Sequence, residues 1–205
     1  MNPVIFYDSD PQLPRAVKEV LEVGGVLIFP TDTIYGIGGN PWDEQAVARV
    51  QRMKRRPADR PFALLLSALD AMERFACLDA RTLPILERFL PGPYTFLLPA
   101  ADRAPSSAVK DGKVGVRVPD HPFFSIVMRS LGRPLFGTSV NRSDEPPLEN
   151  IDAIIERFGN VDLIVEGTTP PSGMSSAIID VTVDPPQAVR GNLPDALSHH
   201  GEKRR

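Results

Sequence analysis

Three short polar stretches hold the residue types that could do chemistry. The first is Pro30-Thr31-Asp32-Thr33-Ile34-Tyr35-Gly36-Ile37-Gly38-Gly39, directly after an apolar run. Its two threonine hydroxyls, one carboxylate and three glycines could bring a small polar ligand close to the backbone. An ordinary turn capped by Asp32 accounts for it equally well, and GxGG with no helix start behind it is weak evidence for a dinucleotide site.

The second stretch, Arg49 to Arg60, reads RVQRMKRRPADR and carries six basic residues against one acidic, a local charge of +5. Phosphate binding needs such a concentration, because several cationic donors must offset the hydration the anion loses. At ~100° per helical residue, Lys54 projects with Val47 and Val50, whereas Arg49 and Arg52 face away. A basic last turn favoured by the helix dipole explains Arg52 and Arg55. It explains Lys54, and Arg56 held against Pro57, less well.

The third stretch is Gly137-Thr138-Ser139-Val140-Asn141-Arg142-Ser143, after a strand ending near Phe136. Hydroxyl and amide groups at a strand end can bind phosphate or ribose oxygens, although a plain Asx or Ser turn is at least as good a reading. Other chemistries find little support. There is no Walker A lysine loop, HExxH, Cys-His metal spacing or GxSxG elbow, and His121 reads as a helix-start residue.

These stretches need elements to position them, and the chain supplies an alternation. Helical spacing covers Leu13 to Val23, Pro41 to Arg55, Thr82 to Phe89, His121 to Leu131 and Glu149 to Phe158. Ser67 reads as the cap of a further helix. Extended runs are Val26–Phe29, Phe62–Leu66, Tyr94–Leu98, Val114–Val118, Pro134–Gly137, Val161–Val165 and Ala177–Val183. The expectation is an α/β domain, an open mixed sheet with helices packed on it, spanning residues 1–196. A polar tail, expected to be disordered, follows from about Leu197, and its two histidines read as solvated.

Bulk properties narrow the classes. The 205 residues suit one domain, and the net charge of −3 argues against a bulk polyanion binder but not against a local basic patch. A single cysteine, Cys77, gives no internal disulfide, and no apolar run nears the ~20 residues a membrane span needs. MNPVIFYDSDPQLP lacks the basic and apolar regions of a secretory signal, so the expected location is cytoplasmic.

Taken in order, PTDTIYGIG, KRRPADRPF, PGPYTF, VGVRVPDHP, GTSVN and SSAIID resemble the YrdC/Sua5 family of threonylcarbamoyl-AMP synthases, over roughly Pro14 to Gly191. The resemblance implies an open twisted sheet with a concave basic cavity, in the short, single-domain form. It implies synthesis of threonylcarbamoyl-AMP and pyrophosphate from L-threonine, bicarbonate and ATP, for modification of tRNA. Lys54 and Arg56 match the family's Lys-x-Arg pair, implied to act on the nucleotide phosphates and to be the catalytic cations. Arg60, Thr95, Ser139, Asn141 and Arg190 are counted with ATP. Thr33, Arg117 and Ser176 are counted with the amino acid, Arg117 at its carboxylate.

No protein-bound metal is expected; Mg²⁺ would be held mainly by ATP. Further expected partners are tRNA at the basic cavity and a transferase complex that takes the product. The chain has Arg60 where asparagine is frequent, Leu65 where the longer branch has histidine, and Ala177 where threonine is usual. DLIVEG and PGPYTF are also similar to the YciO branch, so a paralogue that binds nucleotide or RNA without synthase activity is the alternative.

Overall fold

The run Val26–Phe29 forms a strand with all four residues buried, and its side chains divide between two cores. Leu27 and Phe29 pack with Leu13, Val17 and Leu21 of one helix, while Val26 and Ile28 pack with Ala46 and Val50 of another. Successive strand residues point to opposite faces, so a wholly apolar strand requires cover on both.

The computed structural model describes residues 3–198. In chain order its elements are β1 (Val4–Tyr7), α1 (Leu13–Glu22), β2 (Val26–Phe29), β3 (Gly36–Gly39), α2 (Glu44–Lys54) and β4 (Ala63–Leu65). A 3-10 turn at Leu69–Arg74 precedes α3 (Leu83–Phe89), β5 (Tyr94–Pro99), β6 (Val109–Lys110) and β7 (Lys113–Arg117). A wide helical segment, Phe123–Met128, runs into α4 (Arg129–Leu131). The chain continues as β8 (Leu135–Ser139), α5 (Ile151–Phe158), β9 (Leu163–Glu166), β10 (Ala177–Asp180), β11 (Gln187–Arg190) and α6 (Asp195–Ser198).

One mixed sheet holds eleven strands in the order β1-β9-β2-β3-β8-β4-β7-β5-β10-β11, with β6 on β7. The β4–β7 and β5–β10 pairs are parallel, and β3 is antiparallel to both β2 and β8. A third core of Leu64, Phe75, Leu86, Phe96, Val116 and Ile179 fills the β4–β10 half.

Several sequence expectations are corrected. Gly36–Gly39, read as loop, is strand β3, paired with β2 from Val26↔Gly39 to Phe29↔Gly36. Only glycine fits at position 38, since a Cβ there would lie 1.8 Å from the Phe136 carbonyl oxygen. Strand β8 runs on to Ser139, so Gly137-Thr138-Ser139 is sheet and not the loop after it. Ser67 caps nothing; the segment after it is a 3-10 turn that starts from Ala68 without a side-chain cap. Leu197, placed in the polar tail, is 2% exposed and packs into the third core from α6. The tail histidines lie outside the described residues.

Candidate functional site

Helix α2 delivers the basic stretch, and the way it ends sets its geometry. Asp43 caps the start, its side chain accepting from the Ala46 N–H at 2.9 Å. The end is closed by Arg55 in the left-handed region, φ 53°, with the Arg56 N–H bonded to the Gln51 carbonyl at 2.9 Å. This is the closure glycine usually makes. It leaves Lys54 as the last inward-facing residue and swings Arg56 back over the Phe62 ring, 4.8 Å from its centroid.

Lys54 is 1% exposed, and its three ammonium donors are all used within the protein. Nζ donates to the Ser139 carbonyl, to the Asn141 carbonyl at 2.7 Å and to Asn141 Oδ1 at 2.8 Å. Ser139 Oγ donates to the same Oδ1 at 2.5 Å, and Asn141 Nδ2 donates to the Glu145 carbonyl at 2.5 Å. Lys54, Ser139 and Asn141, from two of the three polar stretches, thus form one knot. The Lys54 ammonium is tied to the 139–141 backbone. Burial, with Arg56 and Arg60 alongside, pulls its pKa from 10.5 down to about 7.

A cavity of about 110 Å³ opens beside this knot, lined by Thr31, Tyr35, Leu65, Thr95, Arg117, Thr138, Ser139, Ser176 and Arg190 among others. Register places it at one end of the strands, where Phe29, Gly36 and Ser139 meet. Ligands in open α/β sheets favour such strand ends.

Arg117, at the end of β7, is 5% exposed. It donates from Nε to the Gly92 carbonyl at 3.1 Å, from Nη1 to Thr33 Oγ1 at 2.8 Å and from Nη2 to Asp32 Oδ1 at 2.6 Å. Thr33 lies behind this arginine, and Thr31 takes its place on the cavity wall. Thr31 Oγ1 accepts the N–H groups of Thr33 and Ile34 and donates to the Ile34 carbonyl at 2.6 Å, so the turn is capped by Thr31 and not by Asp32. Across the cavity, Thr95 and Ser176 hydroxyls meet at 3.1 Å, and Arg190 donates to the Ser176 carbonyl at 2.9 Å and its hydroxyl at 3.3 Å.

Arg56 bonds to the carbonyls of Arg60 (3.2 Å) and Pro61 (2.7 Å), and Arg60 stands at the rim with its side chain 56% exposed. Desolvation, then Arg60, then Arg190 lower the Arg56 pKa to about 10, and desolvation followed by Arg60 lowers that of Arg190. These cations repel one another and, among the described residues, lack carboxylate partners, except for Arg117 on Asp32 and a long 3.9 Å contact from Arg60 to Asp144. An anion bound among them relieves that repulsion. Of the residues singled out on sequence, Thr95, Arg117, Ser139, Ser176 and Arg190 line the cavity; Lys54, Asn141 and Thr33 brace it from behind; Arg56 and Arg60 flank it. Asp32 and Thr31 were not singled out as site residues, and the dense polar composition of their stretch was the available signal.

Comparison with known proteins agrees with this architecture. A threonylcarbamoyl-AMP synthase of Pyrococcus abyssi is 34% identical over 88% of the chain, which spans 54% of that longer protein. One of Cellvibrio japonicus is 33% identical over 89% of the chain and 100% of its own length. Among solved structures, P. abyssi Sua5 complexed with L-threonine superposes with TM-score 0.83 at 28% identity, covering 93% of this chain and 57% of that one. Escherichia coli YciO gives 0.84 at 27% identity, covering 96% and 98%. The family model described as telomere recombination, uniting Sua5, YciO and YrdC, matches residues 19–191. With its motifs, its sheet and its relatives in agreement over nearly the whole chain, the protein belongs to the Sua5/YciO/YrdC family.

Proposed function

We propose that the protein is a threonylcarbamoyl-AMP synthase, forming threonylcarbamoyl-AMP and pyrophosphate from L-threonine, bicarbonate and ATP. The observation that carries this reading is the group of poorly compensated cations, Lys54, Arg56, Arg60 and Arg190, beside a cavity that also holds the buried Arg117. The named activity of the P. abyssi and C. japonicus relatives, and the threonine complex of P. abyssi Sua5, support the substrates.

In this reading the threonine carboxylate lies on Arg117. Of an arginine's five N–H donors, Gly92, Thr33 and Asp32 engage three and leave a pair for a carboxylate. The threonine amine and bicarbonate combine to a carbamate with loss of water. A carbamate oxygen then bonds to the α-phosphorus of ATP as the bond to the pyrophosphate leaving group breaks. Catalysis is positioning and charge neutralisation: Arg56, Arg60 and Arg190 offset phosphate charge, while Lys54 holds Ser139 and Asn141 in place and adds its own charge. Thr95 and Ser176 offer hydroxyls to the nucleotide and the amino acid. Mg²⁺ would arrive on the ATP phosphates and offset their charge; among the described residues no three His, Cys, Asp or Glu side chains are grouped as metal ligands.

The product's transfer to tRNA by a separate transferase, and a cytoplasmic location, belong to the same reading. Among the described residues no helix is long and apolar enough to cross a membrane. Any tRNA drawn to the cavity cations would compete with ATP. The test is pyrophosphate release from ATP with threonine and bicarbonate omitted in turn. Release should require both, and release indifferent to either omission rejects the named substrates. Because YciO shares the fold to the same degree, this assay, and not the fold, separates a synthase from a paralogue that only binds nucleotide or RNA.

A further inference from the structure

At the opposite end of the strands lies a second concentration of positive charge. Three adjoining hollows, of about 170, 210 and 210 Å³, share Arg133 as a common wall. Two of them also share Arg74, Phe75, Gly132 and Pro134. The hollows lie beyond Gly39 and before Leu135, whereas the ligand cavity lies at Gly36 and Ser139. A strand advances ~3.3 Å per residue, so the two sites are separated by the length of β3 and β8.

The lining is unusual for a protein of net charge −3. It holds the exposed cations Lys18, Arg74, Arg129 and Arg133 and one carboxylate, Asp70, which already sits 3.8 Å from Arg129. Lys18 faces Glu22 at 3.8 Å on the same helix. Among the described residues, neither Arg74 nor Arg133 has an ion pair or a side-chain hydrogen bond. Trp42, the chain's single tryptophan, is 52% exposed at the mouth, its ring 5.9 Å from Phe75. The Arg74 guanidinium lies over the Phe75 ring, 5.6 Å from its centroid. Asn40 Oδ1 accepts the Trp42 backbone N–H at 3.2 Å, and among the described residues its amide NH₂ has no partner.

We infer that this groove binds a single-stranded RNA segment, with a base stacked on Trp42 and phosphates on Arg74 and Arg133. An exposed aromatic face beside unpaired arginines is what such a strand recognises, and base stacking tolerates any sequence. The charge balance favours a polyanion over an ordinary protein surface, because the one acidic side chain lining the groove is already engaged. The inference does not rest on the synthase reading. RNA here leaves the ATP cavity open, in contrast to RNA drawn to Arg56 and Arg60.

The test uses the full chain and a labelled single-stranded 12-mer RNA, with Trp42 emission and label anisotropy read together. Expected are quenching of Trp42 on binding, affinity unchanged by saturating ATP, and affinity at least tenfold weaker in Arg74→Ala/Arg133→Ala. The slope of log affinity against log salt should become shallower by about 1.4 in that variant, at roughly 0.7 per phosphate contact. Pyrophosphate release by the same variant should match the unmodified chain, and its circular dichroism should report an intact fold. Trp42→Phe should bind RNA nearly as well, and Trp42→Ala clearly less well. Binding without quenching, binding displaced by ATP, wild-type affinity in the double variant, or no binding each overturns the inference. Inorganic polyphosphate binding as tightly as RNA, and indifferent to Trp42→Ala, overturns it too, by making the groove a site for phosphate chains alone.

Discussion

Asp32 accepts a 2.6 Å hydrogen bond from Arg117, 85 residues further along the chain, and in doing so aims that guanidinium at the cavity. The Asp32 side chain is 17% exposed and that of Arg117 6%, so the pair is largely out of water. Asp32→Ala leaves Arg117 buried without a counter-charge and should destabilise the fold by about 3–5 kcal/mol. Asp32→Leu paired with Arg117→Met should recover most of that loss. Chemical denaturation of the parent and these two variants checks both statements, and an Asp32→Ala variant as stable as the parent would refute them.

Arg117→Lys should keep the charge but lose the fork that grips a carboxylate. The loss of a charged hydrogen bond is about 1.5–3 kcal/mol, so KM for threonine should rise roughly tenfold to a hundredfold while KM for ATP stays put. Steady-state kinetics with each substrate varied separates the two. A rise confined to the ATP constant would place the arginine at the nucleotide instead, and an equal rise in both would refute its assignment to the threonine carboxylate.

For Lys54 the pH dependence follows from its pKa, near 7 in the fold against 10.5 ordinarily. Between those values the unfolded chain holds the proton and the folded chain does not. Stability therefore gains from this group as pH rises from about 7 towards 10.5, and the gain is absent below 7. Lys54→Met should flatten that rise in denaturation midpoints. Bound phosphates favour the charged ammonium, so ATP binding near pH 8 should take up a proton. Calorimetry in two buffers of different ionisation enthalpy should detect the uptake in the parent and not in Lys54→Met. The same change, and Arg56→Ala, should cut pyrophosphate release by orders of magnitude; near-normal activity in both would refute their assignment to the phosphates.

Ser176 joins Arg190 to Thr95 through its hydroxyl. Removing one such hydrogen bond costs about 0.5–1.5 kcal/mol. Ser176→Ala should therefore lower stability only modestly, because Arg190 retains the Ser176 carbonyl, and should shift substrate affinity roughly twofold to tenfold where a substrate takes up the hydroxyl. Calorimetric titration of ATP and threonine in turn shows which substrate feels it.

Gly38→Ala puts a methyl group 1.8 Å from the Phe136 oxygen in the middle of the sheet. Strand β3 must then part from β8, and a stability loss of about 3 kcal/mol is expected, at the upper end for overpacking. A thermal melt within a degree of the parent would show that the sheet yields more easily than this geometry allows.

Sequence by itself was enough for the alternation of helices and strands, because β2, β4 and β9 are short, largely apolar runs and α1, α2 and α5 carry apolar stripes of helical period. It was enough, too, for the concentration of charge around Lys54, since composition is local and survives without a fold. What it left hidden depends on atoms far apart in the chain. Strand β3 has almost no strand propensity of its own; four residues, three of them glycine, become a strand because Phe29 and Phe136 press in from either side. Thr33 and Thr31 are indistinguishable by type, and only the position of Arg117 decides that one backs the arginine and the other faces the cavity. Lys54 read from its helical phase points inward, which is correct. That its three protons end on Ser139 and Asn141 depends on the left-handed Arg55 and on where β8 stops, and those are settled only when the sheet closes around them.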